Sequence, residues 1–459
     1  MGGFIGIDHG LCKRYHRAKR GDERVTGPAP AGHDIEARIG SKVILRLVIP
    51  CALYILIGAI DRTNVGFAAL DMNRALGLSS TQYGFGAGVL FIGYMLAKYP
   101  SVLLYEALGM RRWLAAITLA WGIASGAMAL IANEWQLYAL RVAIGFAEGG
   151  LSSGLMLYLS HWAPERYRAS ILAIPIVSIS VAQVIGAPVS GLLLDWDNPF
   201  GIEPWRLMFA VEALPALALA LFAALYFPES PARAPWLTGP ERDWLGANVK
   251  GARKAPENAE DGARWAALTS PLGWTCAAIW YCILASNYGI MFWLPQVVKG
   301  MADLTSTQTG VIVALPWAAS GIGLLLNARH SDRTGERYLH VALPALAGGT
   351  LLLCAYLLGP GLPGLAALVL GGACTGCTVA AFWAIPTRLL KPGSLAMGIV
   401  MINMIGSLAG ASVPPLMGLL RQQTGSFLPP TLLLFGIAVT CAALCLIARR
   451  MDPHERTNR

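Results

Sequence analysis

Apolar runs of about 20 residues, each long enough for a helix to cross a bilayer, recur twelve times along this chain and constrain its fold more than any other feature. The runs are rich in Leu, Ala, Gly and Ile and do not alternate polar with apolar, as the ten-residue strands of a barrel would. In lipid every backbone N–H and C=O needs an internal partner, which an isolated run of this length finds only as a helix. With 55% hydrophobic and 13% charged residues over 459 positions, the chain is too apolar for a soluble protein of its size. The expected fold class is an all-α membrane protein with 12 transmembrane helices.

The expected spans are 43–70, 82–105, 113–132, 135–158, the stretch from the basic loop 161–168 to 194, and 206–227, followed by 270–295, 307–327, 339–358, 363–386, 395–419 and 428–448. They divide six and six. The implied domains are an N-terminal tail (1–42), a six-helix bundle (43–227), a central polar loop without a long apolar run (228–269), a second six-helix bundle (270–448) and a C-terminal tail (449–459). The net charge of +9 does not point to nucleic acid, because Lys13, Arg14, Arg17, Lys19, Arg20, Arg24, alternate loops, and Arg449, Arg450, Arg456 and Arg459 carry it. That is the positive-inside pattern, and it places both termini and the central loop on the cytoplasmic face of a plasma membrane, in a bacterium the inner membrane. The first 40 residues hold no apolar core with a small-residue cleavage site, so no signal peptide is expected, and Gly6 stands where myristoylation needs Ser or Thr. Eight of the nine cysteines lie in apolar runs and read as small packing residues; Cys374 and Cys377 have metal-site spacing but no second ligand pair.

The two halves echo each other. Glu106, Gly109, Arg111 and Arg112 follow the second span, and Asp332, Arg333, Gly335 and Arg337 follow the eighth. Each loop sets an acid three residues before a glycine that permits a tight turn, then arginines at the inner surface, and such loops read as a gating motif. A repeat spaced by half the chain resembles the parallel-repeat architecture of major facilitator transporters.

The most informative single stretch is Asp61-Arg62-Thr63-Asn64, which interrupts the first apolar run. Each charge at mid-membrane costs about 3 kcal/mol on the insertion scale, so two in a row mark a polar cavity, here in the outer half of the membrane. Arg141 and Glu148 in the fourth span are seven residues apart and share one face of that helix, with Gly145, Gly149 and Gly150 thinning it for close approach. Two acids and two arginines are thus expected to converge near mid-membrane. Two structural salt bridges would account for them, but a transport site accounts for their cost. Arg62 and Arg141 suit an anionic substrate, and Asp61 and Glu148 suit proton coupling. When a substrate carboxylate engages an arginine, the neighbouring acid loses the charge that kept it ionised and takes up a proton, so proton and substrate bind cooperatively. None of the seven histidines lies well inside a span, and Glu212 in the sixth span reads as a structural residue paired near the outer surface. In the second half, Asn287, Tyr288, Trp293, Trp383, Asn403 and Ser407 are candidates to contact the uncharged part of a substrate. Lys98, one turn beyond Tyr94, either snorkels to the cytoplasmic interface or adds a third cation that favours a substrate with two negative charges.

Residues 61–64, Tyr83-Gly-Phe-Gly-Ala through Phe91-Ile-Gly-Tyr94, Arg141 with Glu148, Phe292-Trp-Leu-Pro-Gln296 and Phe382-Trp-Ala-Ile-Pro-Thr387 resemble the anion:cation symporter family over nearly the whole membrane domain. The resemblance implies the major facilitator fold and import of a small organic anion such as a sugar acid, tartrate, phthalate or hydroxyphenylacetate, usually with protons. It also implies substrate contacts for Tyr94 and Asn403. Lys98 stands where the family more often has an acid or amide, and Ala107 replaces the usual arginine of the first loop motif. The implied partners are a small organic anion and the lipid bilayer, with no cofactor beyond the proton, no nucleic acid, and function as a monomer. An exporter or exchanger on the same fold is the main alternative. A membrane enzyme finds no metal cluster, triad or phosphate loop to support it, and a sensor no large soluble domain.

Overall fold

The computed structural model describes residues 31–249, 268–301, 303–390 and 392–452. Expectations for the first 30 residues, for 250–267 and for the last seven lie outside the described residues. In chain order the helices are α1 (Ala31–Val43), α2 (Ile49–Ala75), α3 (Ser80–Ala127), α4 (Glu134–Glu148), α5 (Leu151–Ser160), α6 (Arg168–Leu194), α7 (Pro204–Tyr226), α8 (Gly239–Asn248), α9 (Pro271–Met301), α10 (Ser306–Thr334), α11 (Leu339–Leu358), α12 (Leu362–Leu389), α13 (Pro392–Thr424) and α14 (Leu428–Met451). Among the described residues, eleven helices are long and apolar enough to cross a membrane. One of them, α3, is interrupted at Gly109, whose φ of 75° and ψ of 169° turn the chain back and make two crossings of it, twelve in all.

Local chemistry sets the ends. Ser79 and Thr305 close capping boxes with Gln82 and Gln308, and Asn133 accepts from the Gln136 N–H, so α3, α10 and α4 start where side chains satisfy their first backbone donors. Gly335 ends α10 at φ 71°, the counterpart of Gly109 in the other half.

The first span holds its polar residues 61–64 within one helix: α2 runs through them to Ala75, five residues beyond the expected end, with Thr63 bonding back to the Ala59 and Ile60 carbonyls. Two expectations need correction. The N-terminal tail and central loop are partly helical. α1 runs through a five-residue π-helical stretch, Ile44–Val48, into α2, and Lys42 pairs with Glu241 of α8 at 2.7 Å while Trp162 stacks on Trp236. Arg449 and Arg450 belong to the last turns of α14 rather than to a tail.

The halves meet along α3 and α13, α6 and α10, and α2 and α9. At the end holding Ser80 and Ser306 they are tightly closed. The Tyr83 hydroxyl donates to Phe292 O at 2.7 Å, the Thr81 N–H to Gln422 at 3.2 Å, and the Ser306 and Thr307 N–H groups to the Asp195 carboxylate at 2.9 and 2.7 Å.

Candidate functional site

Arg62 leaves α2 toward α4, where its Nη2 and Nε donate to Glu148 Oε2 at 2.9 and 3.3 Å. The Glu148 side chain is 0% exposed and that of Arg62 20%, so the acid is buried while part of its guanidinium partner still reaches solvent. Glu148 Oε1 has no hydrogen-bond partner among the described residues. Glu148 comes this close to its partners because α4 and α3 cross almost backbone to backbone: a Cβ on Gly145 would stand 1.9 Å from Leu90 O. Tyr94 of α3 lies between two cations, with Arg62 Cζ 5.4 Å and Lys98 Nζ 5.3 Å from its ring centroid. Tyr288 of α9 is an electrostatic neighbour of Arg62 and packs against Phe91, with ring centroids 4.3 Å apart. The structure thus joins Arg62, Glu148, Tyr94, Lys98 and Tyr288.

Arg141 touches this group from behind. It is 0% exposed, donates weakly to Gly86 O and Arg62 O at 3.4 and 3.5 Å, sits 6.0 Å from the Phe292 ring centroid and leaves Nη1 without a partner. In this conformation Arg141, expected to meet an anionic substrate, is closed off from solvent. Asp61 also departs from expectation. Residues adjacent in a helix face about 100° apart, and Asp61 points away from Arg62 into the N-terminal half, where Trp121 Nε1 donates to Oδ2 at 2.6 Å and Asn64 Nδ2 to Oδ1 at 3.3 Å. Glu212 is not paired near a surface but buried in that same half, accepting from Ser190 at 2.7 Å. Sequence reading missed Trp121; a mid-span tryptophan whose N–H needs a partner is the signal that pointed to it.

The candidates of the second half are dispersed. Asn287 donates to Ile283 O and lines a small cavity inside the C-terminal bundle, and Trp383 belongs to an aromatic cluster with Trp280 and Phe382. Asn403 is half-buried and spends its donor on Ile399 O, while Ser407 bonds to Asn403 O. Trp293 donates to Pro414 O at the closed end. A separate cavity of about 310 Å³, walled by Trp293, Ile312, Leu352, Leu368, Phe427 and Leu434, has no charged lining.

The loop motifs sit together at the opposite end from Ser80. Glu106 and Arg112 are exposed, and Arg111 is held by Glu229, which accepts from its N–H at 3.2 Å, and by Ala224 O. Glu229, unremarked in the sequence, braces this turn: a Cβ on Gly109 would lie 2.6 Å from its Oε2. In the second motif Arg337 pairs with Asp332 at 2.6 Å, Arg333 is exposed and Gly335 makes the turn.

Residues 51–414 match the family model described as Major Facilitator Superfamily. The chain belongs to the major facilitator superfamily. Among relatives of this major facilitator protein, one from Agrobacterium vitis named "Putative tartrate transporter" is 36% identical over 422 residues, 92% of this chain and 97% of its own. A "Quinolone resistance transporter" of Acinetobacter baumannii is 33% identical, with 91% and 97% covered. Among solved structures, a bacterial homologue of the human lysosomal transporter Spinster, inward-facing and unoccupied, shares the fold with a TM-score of 0.74 at 18% identity, covering 91% of this chain and 98% of its own. The protein is accordingly a multi-pass membrane transporter of a small molecule, and its family and fold are those of transporters rather than enzymes.

Proposed function

We propose that this transporter imports a small organic anion, with tartrate-like hydroxydicarboxylates the first class to try, by proton symport across a bacterial inner membrane. The observation that carries the reading is the Arg62–Glu148 pair, its acid buried and its guanidinium partly open to solvent. A substrate carboxylate that takes the Arg62 fork displaces Glu148, and a carboxylate left without its guanidinium in a low-dielectric site takes up a proton, for which the unpartnered Oε1 is the free position. Each ligand then favours the other's binding. Lys98, beside the Tyr94 ring, supplies a second cation for a second carboxylate. The relative named for tartrate supports that class, and the basic loops at the Arg111 and Arg337 end support an inward-open orientation with cytoplasmic termini.

Proteoliposomes with an alkaline interior provide the test. Wild type accumulates tartrate or a similar dicarboxylate, whereas Glu148→Gln exchanges substrate across the membrane without concentrating it, because a permanently neutral side chain removes the proton step. Undiminished uphill uptake in Glu148→Gln refutes the coupling. A second reading, export of an amphipathic aromatic compound, draws on the apolar cavity beside Phe427 and the relative named for quinolone resistance; proton-driven efflux of such a compound without carboxylate uptake would favour it.

A further inference from the structure

At the end holding Gly109, the outer surface of the N-terminal half carries a groove that the transport scheme does not use. Past its turn at Gly109, α3 returns beside α7, and the two helices touch where side chains are small: a Cβ on Gly122 would stand 2.9 Å from Leu217 Cδ2, and one on Gly126 3.4 Å from the Ala213 Cβ. Nearer the turn a groove of about 1150 Å³ opens between them. Its walls are apolar, with Ala115, Ala116 and Leu119 on α3 and Leu217, Leu221 and Ala224 on α7. Leu119 is 47% exposed and Leu221 64%, on helices that cross the membrane, so these walls face lipid.

The mouth of the groove is basic. Arg111, Arg112 and Arg233 line it, and Glu229 is the acid in that lining among the described residues. Glu229 accepts from the Arg111 backbone N–H, while Arg111 Nε donates to Ala224 O, so this side chain reaches across from α3 to α7. Arg112 and Arg233 are exposed and have no acid in salt-bridge contact among the described residues. Leu119 lies eight residues, about 12 Å of helix, beyond Arg111, which is deeper than a headgroup layer is thick. Topology asks only for basic residues in the loop, not for a groove that continues from them into the membrane. Three guanidiniums against one carboxylate suit a phosphodiester, and the apolar walls below suit hydrocarbon chains attached to it. A free phosphate would use the arginines alone, and a zwitterionic lipid would bring an ammonium that the guanidiniums repel. We propose that the groove between the third and sixth spans binds an anionic phospholipid, its phosphate held by Arg112 and Arg233 and its acyl chains lying along Ala116, Leu119 and Leu221. A lipid so placed ties the turn at Gly109 to α7. The site depends neither on which anion is carried nor on protons driving transport.

Thermal melting of the full-length protein in a non-ionic detergent, titrated with phosphatidylglycerol, phosphatidylcholine or inorganic phosphate, tests this. Phosphatidylglycerol should raise the melting temperature to a plateau and the other two should not, because a ligand stabilises in proportion to its occupancy of the folded state. The double variant Arg112→Gln with Arg233→Gln should need at least about tenfold more phosphatidylglycerol for half of that rise. Should it fail to fold, Ala116→Phe decides: the residue is exposed, and the added ring fills the acyl seat while keeping every arginine, so it too should weaken phosphatidylglycerol. An equal rise with phosphatidylcholine would reduce the groove to a general lipid contact, and an equal rise with phosphate would reduce it to an anion site without acyl contacts. Either result overturns the proposal, as does an undiminished phosphatidylglycerol effect in either folded variant.

Discussion

Lys98 is half-buried on α3, one turn from Tyr94, with no acid in salt-bridge contact among the described residues. A cation so placed, against the same aromatic ring as Arg62, gives the site a second point of positive charge. The expected consequence is discrimination by charge number. Lys98→Gln should weaken a dicarboxylate by more than tenfold, about 1.4 kcal/mol, and spare a monocarboxylate of similar shape. Calorimetric affinities for both ligands in both proteins check it; equal changes, or none, would assign Lys98 to the membrane interface.

Among the elements, the crossing of α3 and α4 carries the site, because it brings Glu148 against the helix that presents Tyr94 and Lys98. Each helix contributes a glycine to the crossing: a Cβ on Gly93 would lie 2.2 Å from Val142 O, and one on Gly145 1.9 Å from Leu90 O. Gly145→Ala must therefore push the helices apart, at a cost of about 1–3 kcal/mol, and should lower the melting temperature, while Gly436→Ala, with nothing within 4 Å of its Cβ, should not. That contrast also marks how far the sequence could be read. The twelve crossings were legible in the apolar runs, and the Arg62–Glu148 pair in the cost and spacing of its charges. The parting of Asp61 from Arg62 was not read, since the four charges were expected to converge; Asp61 turns instead to Trp121, sixty residues away, and only packing decides that the two meet. Helices α1 and α8 escaped notice for the same reason. Neither has an apolar run, and they hold each other through Lys42 and Glu241, where the ammonium outweighs the cost of desolvation and keeps the carboxyl below its usual range.

For the whole molecule, the seam between the halves repeats itself. The second span packs on the eleventh and the fifth on the eighth, and a shift of six spans exchanges one pair for the other, so the closed end is built twice from equivalent parts. The two copies use different acceptors: where at the second and eleventh the Gln422 amide accepts from the Thr81 N–H, at the fifth and eighth a carboxylate, Asp195, caps the start of the opposing helix. Desolvation opposes its charge, but the Ser306 and Thr307 N–H groups prevail and hold the carboxyl well below the ordinary range. A depressed acid contributes its bond at every pH above its unfolded value and loses it only as pH falls through the folded one, so this latch stays charged throughout mild acid. Asp195→Ala removes a helix cap worth about 1 kcal/mol and should shift the equilibrium toward opening at this end about fivefold. Spin-label distances between the fifth and eighth spans report that shift; an unchanged distribution would leave closure to the packing of Gly310 against Ala187 instead.

The ring of Tyr94 has a further consequence for what can enter. With Arg62 and Lys98 both drawn to it, the ring behaves as a resident weak ligand, and any anion binds by exchange rather than by filling an idle site. Each cation gives up about 0.5–2 kcal/mol of attraction when it turns from the ring to an incoming group. A small inorganic anion that meets one cation at a time is hard pressed to offset that loss, whereas a molecule with two anionic ends engages both at once. On the proposed function, the paired cations would favour a two-ended anion over chloride.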